Sequence, residues 1–124
     1  MANHDTGRDD KGRRPEDHLP LTPAVFHVLL ALSDGDAHGY AIMKEVEART
    51  GGEVRLGSGT LYGIVKRLLA DGLVRESAVA STDRRRAYRL TPFGRRVALA
   101  EAERLRDMVV AAQAKRLLIG PIGG

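Results

Sequence analysis

The stretch SGTLYGIVKRLLADG, Ser58 to Gly72, carries one helical period and both of its ends. Leu61, Ile64, Val65, Leu68 and Leu69 recur at helical spacing and make one face apolar. The opposite face holds Gly59, Tyr62, Gly63 and Lys66, with Arg67 on its flank. Ser58 is the expected N-cap, because a serine oxygen accepts from the free backbone N–H groups of a first turn. Asp71-Gly72 is the expected stop, glycine being at ease in a left-handed cap. A short helix with an apolar back and a small, basic front is built to lie in a groove.

Charge points to what the groove belongs to. The chain of 124 residues holds 20 Lys and Arg against 16 Asp and Glu. The segment from Ser58 to Arg96 contains Lys66, Arg67, Arg75, Arg84, Arg85, Arg86, Arg89, Arg95 and Arg96 against only Asp71, Glu76 and Asp83, so it outweighs the surplus of the whole chain. A basic patch confined to one segment is the electrostatic footprint of a polyanion binder. The absence of cysteine excludes disulfides, thiol catalysis and cysteine-based zinc sites. No apolar run reaches the ~18 residues of a membrane span, and the start lacks a signal-peptide core. A cytoplasmic location is expected, with no membrane partner. The carboxylates are scattered, no nucleophile adjoins a base in a known motif, and no P-loop is present, so neither an enzyme nor a metal or cofactor site is expected.

Outward from the central stretch, residues 1–19 are polar and are expected to be a disordered tail. Thr22-Pro23 reads as an N-cap with proline at the first helical position. The helix it opens has one stripe of Val25, Val28, Leu29 and Leu32 and a second of Phe26 and Leu30, which awaits another partner. Asp34-Gly35-Asp36 is a turn. A second helix is expected over Ala37 to Arg49, with His38 and Tyr40 in its first turn, where free N–H groups favour a phosphate. Glu53 to Leu56 is expected as a short edge strand. After Gly72, Leu73 to Val79 and Arg85 to Leu90 read as a hairpin, with Tyr88 and Leu90 facing the helices. Thr91-Pro92 starts the longest helix, expected over 92–118, and residues 119–124 are expected to fray. Along that helix Ala98, Ala102, Leu105, Val109 and Ala112 form an alanine-rich, heptad-like seam.

This order gives a mainly α (α+β) fold, a winged helix-turn-helix over 20–91 followed by a long helix. In such domains the third helix enters the major groove and the hairpin, or wing, meets the backbone or minor groove. The expected DNA contacts are His38, Tyr40, Ser58, Thr60, Tyr62, Lys66 and Arg67, with Arg84, Arg85 and Arg86 on the wing. For Tyr62, packing on the second helix is an equal alternative. Asn and Gln are absent from the third helix, so specificity is expected to lean on DNA shape and half-site spacing.

His38-Gly39-Tyr40, Gly59-Thr60-Leu61-Tyr62, Lys66-Arg67-Leu68, Asp71-Gly72-Leu73-Val74, Arg85-Arg86 and Tyr88-Arg89-Leu90-Thr91 together resemble the PadR family of bacterial transcriptional regulators. The chain departs from the family's usual pattern at Gly63, often proline, and at Ala87, often aromatic. The resemblance implies a homodimeric repressor on a double-stranded DNA operator. Its long helix would pack with the partner's first helix through Phe26, Leu30, Ala98, Ala102, Leu105, Val109 and Ala112. It also implies a small-molecule effector, for which Phe26, Leu30, Leu105 and Met108 are the candidate lining. The alternatives are a winged-helix protein-interaction module and an architectural DNA binder without effector control.

Overall fold

The computed structural model describes residues 13–77 and 86–120. Helices α1 (Pro23–Leu32), α2 (Gly39–Arg49) and α3 (Ser58–Ala70) precede the strands β2 (Val74–Ser77) and β3 (Ala87–Leu90), and α4 (Pro92–Ala114) closes the fold. A two-residue strand, β1 (Ala37–His38), joins them in an antiparallel sheet of order β1-β3-β2. Ala37 pairs with Tyr88 and His38 with Ala87, while Val74 pairs with Leu90 and Ser77 with Ala87. The arrangement is a winged helix-turn-helix with a long C-terminal helix.

The helix starts follow local chemistry. Thr22 Oγ1 accepts from Val25 N at 3.2 Å and Thr91 Oγ1 from Gly94 N at 2.9 Å, each ahead of a proline at the first position. The ends of α2, α3 and α4 share one device, in which the two N–H groups beyond the cap reach back to carbonyls of the last turn. In α2 these are Gly51 to Ala48 and Gly52 to Glu47, and in α3 Gly72 to Leu69 and Leu73 to Leu68. Gly51 and Gly72 sit at φ of 62° and 77°, where a glycine is at ease. In α4 the same bonds run from Arg116 to Gln113 and Leu117 to Ala112, with Arg116 at φ 64°.

Val28, Leu29 and Leu32 of α1, Ile42 and Val46 of α2, and Leu61, Val65 and Leu68 of α3 form the core with Leu73, Val74, Tyr88, Phe93 and Val97. Burial of the Leu61–Val65–Leu68 stripe fixes which side of α3 faces outward. Gly94 seats α4 on this core: a Cβ there would overlap the Leu73 carbonyl oxygen, which also accepts from Thr91 N at 3.0 Å.

Five expectations need correction. Ser58 does not cap α3; Gly57 holds that position, without a side-chain bond, and Ser58 is the first residue inside. Glu53 to Leu56 is not a strand. Thr50 Oγ1 takes the Val54 N–H at 3.0 Å, and the place beside β3 belongs to Ala37–His38. For the same reason α2 begins at Gly39 rather than Ala37. The long helix ends at Ala114, four residues short of 118. Of the expected tail, residues 1–12 lie outside the described residues, while 13–19 fold onto the domain: Pro15–His18 forms a 3-10 turn, the Arg13 guanidinium lies 4.1 Å from the Phe93 ring centroid and donates to the Asp71 carbonyl, and His18 meets Phe93 edge-on at 5.4 Å. A cis Leu19–Pro20 bond leads from this turn towards α1.

Candidate nucleic-acid interface

Helix α3 presents Ser58, Gly59, Thr60, Tyr62, Gly63, Lys66 and Arg67 as exposed residues. Lys66 and Arg67 have no ion pair among the described residues. Nothing lies within 4 Å of a Cβ built on Gly59 or Gly63, so this face is bare and open between its two cations. At the N-terminus Leu61 N bonds to the Gly57 carbonyl at 2.8 Å. The N–H groups of the residues before it have no helical partner, and Gly57 has no side chain to satisfy them. That end is an uncapped positive dipole terminus, suited to a phosphate.

Tyr62 turns towards the start of α2. Its hydroxyl oxygen lies 2.6 Å from where a Gly39 Cβ would be, so Gly39 is the notch that receives it, and the ring stays 48% exposed. Packing and exposure thus coexist in Tyr62. Tyr40, 55% exposed, follows one residue after that notch, with the Lys44 ammonium 5.7 Å from its ring. His38, brought to the sheet by β1, lies with Nδ1 3.4 Å from the Arg86 carbonyl oxygen. The second helix and the foot of the wing are therefore joined at His38.

Arg84 and Arg85 lie outside the described residues. Arg86 is exposed and pairs with Glu76 across the strands at 3.3 Å, a solvent-screened contact that a stronger anion would displace. Other members of the basic segment serve the fold. Arg89 Nε meets Asp36 Oδ1 at 3.0 Å, and the Ser77 hydroxyl donates to the same carboxylate. These bonds from Ser77 and Arg89 hold the Asp36 carboxyl below its ordinary pKa. Arg95 donates to the Ser33 carbonyl at 3.2 Å. Charge counting did not separate these arginines from Lys66 and Arg67 on α3, because a basic residue counts the same whether or not the fold gives it a partner.

The expected dimer residues gather only in part. Phe26, Leu30, Ala98 and Ala102 line a shallow groove of about 140 Å³ with Leu99, which the sequence reading missed and which is 57% exposed. Leu105, Val109 and Ala112 continue along α4, each half-buried. Of the candidate effector lining, Phe26 and Leu30 share that groove, while Leu105 and Met108 lie beyond it within one chain. Glu101 was also missed. It is 2% exposed on α4 and takes a bidentate bond from Arg104, at 2.9 and 2.8 Å. Arg104 chiefly, and the Leu21 backbone N–H, hold its carboxyl below the ordinary range against the opposing effect of burial. The only signal in the sequence was the Glu-Arg spacing of three on a helix.

Comparison with known proteins agrees with this geometry. The model of the "Transcriptional regulator PadR-like family" matches residues 28–100. The transcriptional regulator Rv3488 of Mycobacterium tuberculosis is 43% identical over 80 residues, covering 64% of this chain and 71% of that protein. An uncharacterised 37.1 kDa protein of a Streptomyces fradiae transposon is 46% identical over 79 residues, and there the chain spans only 22% of the relative's length. Among solved structures, a PadR family transcription regulator from Clostridium difficile superposes with a TM-score of 0.60 at 25% identity, covering 73% of this chain and 94% of that one. RosR of H. salinarum gives 0.60 at 27% identity over 82% and 100%. With the winged helix, the basic bare-faced third helix and the family match over most of the folded part, the chain belongs to the PadR-like family of transcriptional regulators.

Proposed function

We propose that the protein is a homodimeric repressor that binds a (pseudo)palindromic operator, with α3 in the major groove and the β2–β3 wing at the minor groove. The observation that carries this is the outer face of α3: two cations without ion pairs among the described residues, two glycines with open space above them, and an N-terminus without a side-chain cap. Lys66 and Arg67 reach base edges or phosphates, while Ser58 and Thr60 with their N–H groups hold a phosphate. Tyr40, Tyr62 and His38 add contacts where α2 meets the DNA backbone. Arg84, Arg85 and Arg86 serve the wing. The apolar groove of Phe26, Leu30, Ala98, Leu99 and Ala102, and the seam beyond it, support a second copy as the partner, which sets the half-site spacing. An effector at the interface would meet Phe26, Leu30, Leu105 and Met108 once two chains are together.

The test is anisotropy on a duplex from the protein's own upstream DNA over a salt series, with chain mass measured in parallel. The wild type should be dimeric and prefer the operator over random DNA. Arg85→Ala with Arg86→Ala should flatten the log K against log salt slope by roughly one unit per lost phosphate contact. Leu99→Glu should yield monomers with weakened operator binding. A salt slope that the wing variant leaves untouched removes the wing from the mechanism. Equal affinity for operator and random DNA makes the protein an architectural binder, and absence of DNA binding leaves a protein-interaction module.

A further inference from the structure

Residues 13–21 bridge two helices to which the DNA-binding reading gives separate tasks, α3 and the long α4. They stand ahead of the family-matched part of the chain, residues 28–100. At the end of α3, three successive carbonyls each take a donor from elsewhere in the chain. The Asp71 carbonyl accepts from the Arg13 guanidinium, that of Gly72 from the Thr91 hydroxyl at 2.7 Å, and that of Leu73 from Thr91 N at 3.0 Å. A cation at this place also faces the negative end of the helix dipole. Gly72 leaves the space for it, since a Cβ there would stand 2.9 Å from Arg13 Nη1.

On α4 the same segment has two further footholds. The Phe93 ring carries the Arg13 guanidinium 4.1 Å from its centroid and meets His18 edge-on at 5.4 Å. Leu21 N–H donates to Glu101, a carboxylate 2% exposed and held by both bonds from Arg104. Phe93 and Glu101 are about 12 Å apart along α4, at about 1.5 Å per residue. Leu19 and Leu21 pack against the core beside these contacts. Thr91 and Gly94 already tie the end of α3 to the start of α4 at one short junction. Residues 13–21 add a second tie, from Asp71 to Phe93 and Glu101, and a second tie resists tilting of one helix against the other.

We propose that Arg13 and Glu101 are positioning residues, which lock residues 13–21 as a strap between α4 and α3 and so fix the angle at which α3 meets DNA. This deepens the operator-binding reading above and rests on it, because α4 is there the helix that joins two copies. Moving a half-site by one base pair shifts it by about 3.4 Å and turns it by about 34°. Two copies with fixed α3 angles accept one spacing, and loosening the strap widens the range.

The first arm of the test uses the free, full-length protein and amide exchange followed by NMR. Arg13→Ala should speed exchange at Gly72 and Leu73, whose N–H groups close the end of α3 on Leu69 and Leu68. The second arm uses the footprinted upstream duplex, together with versions whose half-sites are one base pair closer or further apart, read by anisotropy. The wild type should prefer the native spacing. Arg13→Ala should lose about fivefold of that preference, and Arg13→Lys should recover part of it because the cation is kept. Glu101→Gln that retains the wild-type helical spectrum should show the same loss. Unchanged exchange at Gly72 and Leu73 would overturn the strap. A wild type indifferent to spacing, or faster exchange with the preference intact, would overturn the coupling. An equal loss on every spacing, with the log K against log salt slope flattened by about one unit, would make Arg13 a phosphate contact and overturn its positioning role. A wild type that binds no duplex at any salt would overturn the DNA-binding reading and the coupling with it, while the exchange arm still decides the strap.

Discussion

Glycine at positions 59 and 63 has a cost inside α3 and no reason within the chain. Each lies on the exposed face of a helix, and a Cβ at either would meet open space. A glycine in a helix interior is less favourable than alanine by about 1 kcal/mol. Gly63→Ala should therefore raise stability by up to about 1 kcal/mol in denaturant unfolding, and Gly59→Ala, in the first turn, by less. If the bare face is where DNA approaches, both should also weaken operator binding in anisotropy. Gain of stability with unchanged affinity would show that the face does not come close to DNA. Gly94 is the opposite case. Its missing side chain makes room for the Leu73 carbonyl, and no rotamer can relieve a Cβ there. Gly94→Ala should cost about 3 kcal/mol, read as an earlier urea midpoint. The same letter thus marks an open surface at one position and the tightest contact of the fold at another.

At the scale of elements, α2, α3 and α4 end by the same pair of backbone bonds, and only α4 uses a non-glycine residue in the left-handed position. The conformation costs an L-residue about 1 kcal/mol. Arg116→Gly should accordingly stabilise the end of α4 by about 0.5–1 kcal/mol, checked by slower amide exchange at Leu117 and by the thermal midpoint. A slower-exchanging Leu117 in the wild type would mean that the arginine gains a compensating contact. The end of this helix was misjudged for a related reason. Residues 115–118 contain good helix formers, and nothing local announces a stop before Gly120. The missing strand at 53–56 has the same origin: Val54 to Leu56 suits an edge, but the place beside β3 was filled by Ala37–His38, earlier in the chain. The ends of α2 and α3, and the starts at Thr22 and Thr91, were legible because their cap residues lie next to the bonds they make.

At the scale of the whole molecule, three titrating groups among the described residues contribute to the response to acid. His27 Nδ1 lies 2.8 Å from the Arg49 guanidinium, and burial first, then that charge, lowers its pKa. Asp36 and Glu101 are also held below their ordinary values, by Ser77 and Arg89 and by Arg104. A lowered native pKa contributes stability that is complete above the unfolded value and is lost as pH falls through the native one. Unfolding free energy should be level near neutral pH, fall slightly below about pH 6.5 through His27, and fall further below about pH 4 through the two carboxylates. His27→Gln should remove the first step, while Asp36→Asn and Glu101→Gln should flatten the second at a cost in stability near neutral pH. A urea series from pH 7.5 to 3 checks this, and an acid fall that the carboxylate variants leave unchanged would assign it to other groups.

What the sequence determined by itself was everything governed by short spacing: the apolar stripe of Leu61, Val65 and Leu68, the helix starts at Thr22 and Thr91, the stop at Asp71-Gly72, and so the winged-helix order. Periodicity and caps act over a few residues, and their energetics are complete within one turn. The tertiary structure alone decided which of the basic residues find partners, since Arg89 bonds Asp36 and Arg95 bonds the Ser33 carbonyl, both far away in the chain. It also decided that Ala37–His38 completes the sheet, that Glu101 is buried, and that Arg13 and His18 hold the N-terminal turn on Phe93. Last, it brought Leu21 and Val25 opposite Ile64 and Leu68 of α3 around one cleft, from segments about forty residues apart. Long-range pairings depend on which surfaces the core brings together, and no local pattern carries that information. For Ser58 to Gly72, the sequence established a helix and its inward side; only the assembled fold showed that its outward side is bare and carries two cations without ion pairs among the described residues.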